Sequence, residues 1–350
     1  MARNWERVVS DEPFKRNIVL RSRLINQIRQ SFLSHGFLEL DTPIMVTSTE
    51  FEPFFNPFVT HFTSQSGNDL RTFLVTSPEL KMKMAVAAGF EKIFQISKFF
   101  RNGDLGVKHN PEFLGVEWYQ TNTNYQDQMT FIENLIHSAV GELLNTCFTY
   151  QGVDFDFTPP WPRVTFQELI LKHSGVDVLV NKDKTSLFNT LTEMGLPDLN
   201  ETSTWEELVE RLLVTKIDSG LGWQKPLFVV DYPNDSQFSL MAKTNPNDAR
   251  SVERFELYLA GMEIAGGYSE LNDPIQQQVR FENTRSFMRG LGKQDLPEVP
   301  LDYLRALQHL PDTSGVAIGL DRLAMFFCDT RDIRDVLLFP FSEDFTDPIS

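Results

Sequence analysis

The sequence lacks the features that mark secreted, membrane-spanning and disulfide-stabilised proteins. It has two cysteines in 350 residues, Cys147 and Cys328, which form neither a metal-binding spacing nor a disulfide framework. The N-terminal residues lack the apolar core of a signal peptide, and no apolar run is long enough to span a bilayer. The sequence therefore predicts a cytoplasmic protein with no membrane partner.

Positive charge is also scarce, with 32 lysines and arginines against 48 acidic residues and a formal net charge of −16. A protein that grips a nucleic acid usually presents a basic face, so this balance argues against a nucleic-acid partner. Acidic side chains instead suit divalent cations, especially magnesium bound with a nucleotide. The length allows one large or two ordinary domains with a substantial core.

The segment 93–119 predicts two antiparallel strands joined by a long polar loop. An apolar run, Ile93 to Ile96, leads toward Arg101, and an apolar-polar alternation, Val116 to Tyr119, follows the loop. The arginine fork suits a phosphate or a carboxylate, and Phe113 offers a ring for stacking on a base. The loop is therefore either an anion site or an ordinary hairpin with a surface ion pair.

The N-terminal part of the chain predicts a helix followed by an edge strand. Apolar residues recur at helical spacing within 17–35, and Gly36 stands where a helix would end. Residues 37–45 alternate like a strand, and Pro43 near its end favours an edge position. This strand packs either on the core or on a second copy of the chain.

A second helix is predicted to begin at Thr76-Ser77-Pro78-Glu79. Ser77 is suited to the N-cap, Pro78 to the first helical position and Glu79 to the positive end of the helix. Glu79 is then either an ordinary first-turn residue or a functional carboxylate. Further along, 127–148 predicts an amphipathic helix, and 164–222 predicts a helical insertion packed on the sheet.

Two later segments carry candidate chemistry. Residues 254–270 predict a hairpin in which Glu256 and Glu263 flank the turn and Glu270 follows, which indicates either a metal site or a solvated acidic face. In 315–327 a glycine-punctuated strand leads into an apolar helix. Asp321 suits the start of that helix, whereas Arg322 opposes the helix dipole, so Arg322 has either an anionic partner or a salt bridge.

In this order, these segments resemble the three motifs of class II aminoacyl-tRNA synthetases. The helix, strand and Pro43 resemble motif 1, Phe100 to Glu117 motif 2, and Gly315 to Arg322 motif 3. The resemblance extends over about residues 16–341, and four further segments are similar to lysyl-type enzymes: Thr76 to Leu80, His109 to Phe113, Ser269 to Pro274 and Ile333 to Pro340. It implies an α+β fold: one catalytic domain over 1–350, an antiparallel sheet flanked by helices, and dimerisation through motif 1.

The resemblance also implies a subfamily. Lysyl-tRNA synthetases carry an anticodon-binding domain ahead of motif 1, whereas here motif 1 begins almost at the first residue. The chain resembles the truncated ligases that attach (R)-β-lysine, or lysine, to a lysine side chain of translation elongation factor P. Ala317, where tRNA-charging relatives usually have glycine, agrees with this, although it also suits a plain core position. A tRNA partner is then not expected.

ATP and Mg²⁺ are the implied cofactors, and the site residues follow residue by residue from the resemblance. Arg101 would bridge the substrate carboxylate and the α-phosphate, and Arg322 and Phe113 would cover the two faces of adenine. The remaining residues implied to bind ATP are Asn102, His109, Asn110, Glu256 and Glu263, the last two also holding the metal. The residues implied to bind the amino acid with Arg101 are Ser77, Glu79, Tyr119, Glu270 and Ala317.

Two positions depart from the family pattern. Gly103 stands where relatives have a glutamate that contacts adenine, with Asp104 as a neighbouring substitute, and Gly266 replaces an asparagine that helps to hold the substrate carboxylate. Two other functions therefore remain open: a stand-alone enzyme that charges tRNA, and a synthetase-like binding protein without catalysis. The retained arginines and glutamates favour an enzyme over the second of these.

Overall fold

A computed structural model describes residues 3–53, 55–144, 148–180, 182–234, 237–239 and 241–344. Cys147 and the end of the helix predicted over 127–148 lie outside these residues. The chain divides into two compact units. The first comprises Met1–Asn122 and Asn272–Ser350, and the second comprises Thr123–Leu271.

The described helices are α1 Asn4–Ser10, α2 Glu12–Ser34, α3 Glu79–Ala87, α4 Tyr125–Leu144, α5 Phe166–Ser174, α6 Lys184–Glu193, α7 Trp205–Leu212, α8 Pro274–Gly290, α9 Leu301–Leu307 and α10 Leu320–Phe327. The described strands are β1 Leu38–Glu39, β2 Met45–Val46, β3 Val59–Thr63, β4 Asp69–Leu74, β5 Lys92–Phe100, β6 Glu112–Thr121, β7 Phe148–Tyr150, β8 Val153–Phe155, β9 Arg163–Thr165, β10 Leu227–Pro233, β11 Ser251–Leu259, β12 Met262–Ser269 and β13 Thr313–Gly319. Short 3₁₀ or π turns cover Leu213–Ile217, Asp218–Gly220, Ile333–Asp335 and Phe341–Glu343.

Strands of the first unit pair in the order β1-β5-β6-β13. β5 and β6 are antiparallel, as are β6 and β13, whereas the short edge strand β1 runs parallel to β5. A separate antiparallel sheet has the order β2-β4-β3. The strand predicted over 37–45 is thus two short strands, β1 and β2, that join different sheets.

Strands of the second unit pair in the order β12-β11-β10-β9. β12, β11 and β10 are antiparallel, and β9 runs parallel to β10. The predicted α+β class is confirmed, but the sheet is mixed rather than purely antiparallel. In each parallel pair one strand is short: β1 has two residues and β9 has three. Long connections, rather than hairpins, join these edge strands to their partners β5 and β10.

The predicted N-terminal helix forms as α2 but begins earlier, at Glu12. Asp11 caps it, since its carboxylate accepts the Phe14 amide at 3.0 Å. Gly36, with a φ of +79°, follows the helix in the left-handed conformation that glycine adopts without strain. Phe32 is fully buried and packs on Phe94 and Trp118, whose ring centroids lie 4.8 and 5.1 Å away. Burial of one such ring stabilises by about 1.5–3 kcal/mol, which fixes α2 on β5 and β6.

Helices also form where the helical insertion is predicted. Thr165 and Glu168 cap α5 reciprocally, and Thr204 and Glu207 do the same for α7. Within the described part of the chain, no helix is long and apolar enough to cross a membrane.

Candidate active site

Arg101 follows β5 and lies among groups that hold its guanidinium. Its Nη2 is 3.3 Å from a Glu52 carboxylate oxygen, and its Cζ lies 4.4 Å from the centre of the Phe55 ring and 5.4 Å from that of Phe113. Its buried Nε has no hydrogen-bond partner among the described residues. The structure thus brings the Arg101 guanidinium and the Phe113 ring together, and the binding of a phosphate or carboxylate by Arg101 stays a prediction.

His109 and Arg322, which the family resemblance separately implies to bind ATP, lie side by side. An Arg322 Nη lies 2.5 Å from His109 Nε2, and the Nε of the same arginine donates to the Lys108 carbonyl at 3.4 Å. Burial lowers the pKa of His109, and the positive charge of Arg322 lowers it further. The neutral imidazole therefore accepts a hydrogen bond from the guanidinium. This contact holds the positive charge of Arg322 at the loop between β5 and β6.

Asp321 positions Arg322 from the preceding residue. It is 2% exposed and forms a 2.7 Å ion pair with Arg21, while its other oxygen accepts the Leu114 amide at 2.8 Å. Asp321 therefore joins the starts of α10 and β6. The structure shows a hydrogen bond between Arg322 and the His109 imidazole, and an anionic partner of Arg322 stays a prediction.

The loop itself explains one departure from the family pattern. Gly103 has a φ of +88°, a conformation that any other L residue adopts only with strain. The neighbouring Asp104 lies 3.8 Å from His109 Nδ1, beside the predicted nucleotide contacts. Asn110 is buried, donates to the Glu112 carbonyl at 2.6 Å and accepts the Phe341 amide at 2.9 Å. Both ends of its side chain thus hold the loop, and its ATP contact stays a prediction, as does that of Asn102.

Glu79 begins α3, one residue later than predicted. Pro78, rather than Ser77, is the N-cap residue. The Ser77 hydroxyl still accepts a hydrogen bond from the Glu79 amide, at 3.1 Å. The shift occurs because Pro78, with a ψ of 2°, stands just before the helix rather than within it. Glu79 pairs with Lys83 at 2.5 Å, and Lys83 is 1% exposed.

Glu117 lies in the middle of β6 and was not assigned a role from sequence. It is 3% exposed, and its Oε1 accepts the Tyr119 hydroxyl at 2.5 Å. Register places Gln95 of β5 and Ala317 of β13 directly across from it on the same sheet face. The buried Glu117 Oε2 and Gln95 Oε1 have no hydrogen-bond partner among the described residues.

This row holds two buried acceptor oxygens, Gln95 Oε1 and Glu117 Oε2, for which the described residues supply no donor. Two buried oxygens without partners each cost free energy, which a bound cationic donor would recover. Tyr119 stands two residues from Glu117 and therefore on the same face. Tyr119 was already implied to bind the amino acid, and residues two apart on a strand share a face. This spacing was the signal that could have identified Glu117.

The predicted acidic hairpin lies in the second unit, on β11 and β12. Register places Glu256 across from Gly266 and Glu263 across from Tyr258, with a bulge between Leu257 and Tyr258. Glu256 is held by Arg254 at 2.5 Å and by the Tyr258 hydroxyl at 2.9 Å, whereas Glu263 is exposed. The two glutamates are thus staggered rather than directly opposed.

Two carboxylates suffice for a magnesium ion whose remaining ligands come from water and phosphates. Among the described residues, no group of three or more His, Cys, Asp or Glu side chains has a metal-binding arrangement. Glu270, the third acid of the prediction, is 1% exposed and lies at the end of this strand, its backbone paired with Ala242. The binding of magnesium by Glu256 and Glu263 together with a nucleotide stays a prediction.

Comparison with known proteins shows the family of the chain. The family model described as tRNA synthetases class II (D, K and N) matches residues 3–343. The chain is 37% identical over 351 residues to a lysine–tRNA ligase of Fervidobacterium nodosum, and 38% identical over 345 residues to those of Thermotoga maritima and Aromatoleum aromaticum. These alignments cover 95–97% of this chain and 65–66% of each relative.

The fold is that of a class II synthetase catalytic domain. The chain belongs to the class II tRNA synthetase family of the D, K and N type, and its similar relatives are lysine-specific by name. It spans just under two thirds of the length of those relatives.

Proposed function

We propose that the chain activates lysine or (R)-β-lysine with ATP and transfers it to a lysine side chain of translation elongation factor P. The observation that carries the first half is the pair of buried oxygens without a partner among the described residues, Gln95 Oε1 and Glu117 Oε2, which lie on neighbouring strands in the same row as Ala317. An ammonium group donates hydrogen bonds and accepts none, so it can pair with these oxygens completely. An amide or a hydroxyl also carries an acceptor oxygen, which would stay without a donor here.

In the proposed first step, a substrate carboxylate oxygen attacks the α-phosphorus of ATP, an aminoacyl-adenylate forms and pyrophosphate leaves. Arg101 holds the carboxylate and the α-phosphate, because its Nε is available and its ring contacts fix its plane. Arg322 and His109 bind the triphosphate, with Phe113 against the adenine. Glu256 and Glu263 would hold magnesium, which would neutralise charge at the phosphates.

In the proposed second step, the deprotonated ε-amine of the acceptor attacks the adenylate carbonyl and AMP leaves. Two observations support a protein acceptor: the net charge of −16 and the alanine at position 317. A basic acceptor surface is attracted to an acidic protein, whereas a tRNA backbone is repelled by it. The added methyl of Ala317 lies across from Glu117, where it narrows the pocket by one carbon.

A second candidate acceptor is tRNA, which the names of the relatives favour. A homodimer is also proposed, because the first unit exposes a set of large apolar side chains on α2, β1–β4 and the β1–β2 connection: Leu33, Leu38, Ile44, Met45, Val59, Phe62 and Leu70. Exposed apolar area of this extent marks an interface in a soluble protein.

The test uses ATP–pyrophosphate exchange with lysine, (R)-β-lysine and norleucine, followed by transfer of the labelled amino acid to purified elongation factor P or to tRNA. Exchange with either lysine isomer and labelling of the protein support the proposal. Exchange followed by labelling of tRNA alone contradicts the acceptor and retains activation. A protein that binds lysine without exchange is the non-catalytic alternative.

A further inference from the structure

Glu50 is a buried carboxylate that the proposed function does not use. It lies after β2, is 7% exposed, and accepts from the hydroxyls of Thr49 and Thr76, both at 2.7 Å. It also accepts the amides of Ser77 and Leu80 at 3.4 Å, at the start of α3. All four donors are neutral, so they orient the carboxyl group without cancelling its charge.

Glu50 belongs to a cluster with two further acids and one base, here called the Glu50 cluster: Glu50, Glu79, Lys83 and Glu117. Lys83 pairs with Glu79 at 2.5 Å, and the negative charge of Glu79 acts on both Glu50 and Glu117. Burial raises the pKa of Glu50 to about 7 and that of Glu117 well above its usual range. Tyr119 of β6, which donates to Glu117, completes the titratable groups acting on the pair.

Charge counting shows why protons belong in this cluster. Fully ionised, three carboxylates and one ammonium carry a net charge of −2 in a site where each member except Glu79 is less than 9% exposed. An uncompensated buried charge is costly, and a carboxyl group escapes this cost by keeping its proton. Glu117 Oε2, buried and without a partner among the described residues, marks the place where a donor is missing.

We propose that Glu50 and Glu117 hold protons in the free protein and release them to solvent when the second amino group of a diamino acid enters the cluster. Because this rests on the proposed function, the substrate is the amino acid to be activated. Glu50 thereby acts as a specificity-determining residue: it makes recognition of a second ammonium a proton-coupled event. A monoamino acid of the same length brings no charge to replace the protons.

The consequence is a pH-dependent affinity for diamino acids alone. Each proton released makes the dissociation constant fall by up to tenfold for each pH unit over which the group is protonated in the free protein. From pH 6 to pH 7 the dissociation constant of lysine should therefore fall by several fold, and that of norleucine should stay constant. The amino groups of lysine itself remain charged throughout this range.

Isothermal titration calorimetry of the full chain with lysine, at pH 6.5 in phosphate and in imidazole, measures the protons released from the dependence of the heat on the buffer. We expect release of about one proton or more by the wild type and clearly less by Glu50→Gln. Glu193→Gln, at an exposed position at the end of α6, should match the wild type.

Binding without proton release by the wild type, or equal release by Glu50→Gln, overturns the inference and leaves amino acid activation intact. Absence of binding and exchange with every diamino acid overturns the proposed function itself. If Glu50→Gln does not fold, Thr76→Val provides the test. This variant removes a hydrogen-bond donor that favours ionised Glu50, so it should raise the pKa of Glu50 and shift the pH dependence of lysine affinity to higher pH. An unchanged pH dependence contradicts the role of Glu50.

Discussion

Replacing Glu50 with glutamine should stabilise the protein at high pH relative to low pH. Glutamine keeps the size and an acceptor oxygen of the side chain but cannot ionise. Burial gives Glu50 a pKa of about 7 in the folded state, against an ordinary value of 4.5. The folded state therefore binds this proton more tightly than the unfolded state does, and folding stability falls as the pH rises from about 4.5 to about 7.

The magnitude follows from the two pKa values. Each unit of pKa corresponds to about 1.4 kcal/mol, so full ionisation of buried Glu50 costs about 3 kcal/mol of folding free energy. Most of this cost, about 2–3 kcal/mol, accrues between pH 5 and pH 8. The wild type should lose this amount relative to Glu50→Gln over the same interval, whatever the absolute stability of the variant.

Urea unfolding at pH 5 and pH 8, followed by tryptophan fluorescence, measures this double difference. Trp118 reports on the first unit and Trp161 on the second, since both are buried. Glu193→Gln serves as the control and should track the wild type at both pH values. A stability difference between Glu50→Gln and the wild type that changes by less than about 0.5 kcal/mol between pH 5 and pH 8 would refute the reasoning.

Further variants test the remaining parts of the site. Arg101→Ala should lower ATP–pyrophosphate exchange by at least about 100-fold with the oligomeric state unchanged, because it removes the cation at the reacting phosphate; near-normal exchange contradicts that role. Glu52→Gln should lower the KM for the amino acid by about two- to five-fold, since it releases Arg101 from a partly exposed ion pair; an unchanged or higher KM shows that Glu52 does not compete. Ala317→Gly should change the ratio of kcat/KM between lysine and (R)-β-lysine by an amount equivalent to about 1–3 kcal/mol, and a constant ratio means that the methyl does not contact substrate. Phe62→Arg should convert the proposed dimer to a monomer in sedimentation velocity, whereas Leu171→Arg, at an exposed position of α5, should not. If both variants are dimers, the interface does not include Phe62.

Local sequence patterns predicted the parts of the site that depend on one hairpin or one strand-helix junction. Arg101 and Phe113 flank a single loop, so the alternation of β5 and β6 sufficed to bring them together. Arg322 was identified because a cation in the first turn of a helix opposes the dipole. Its contact with His109 joins residues more than two hundred positions apart, and no sequence pattern indicated it.

Residues whose role depends on burial between distant segments were missed. Glu50 stands beside an aperiodic, phenylalanine-rich stretch and shows no pattern, because its burial comes from the start of α3, twenty-six to thirty residues later. Gln95 and Glu117 lie side by side, next to Ala317, only because of the register of β5, β6 and β13. The stagger of Glu256 and Glu263 follows from the register of the hairpin, which pairs them with Gly266 and Tyr258 and which alternation alone does not reveal.

The most direct test of the account is the amino acid dependence of ATP–pyrophosphate exchange, compared between the wild type and Glu117→Gln. The buried oxygens of Gln95 and Glu117 that lack partners among the described residues predict exchange with lysine or (R)-β-lysine and none above background with norleucine. They also predict that Glu117→Gln raises the KM for the diamino acid with a smaller effect on that for ATP. Equal exchange with norleucine, or no exchange with either lysine isomer, would contradict the claim that this site activates a diamino acid.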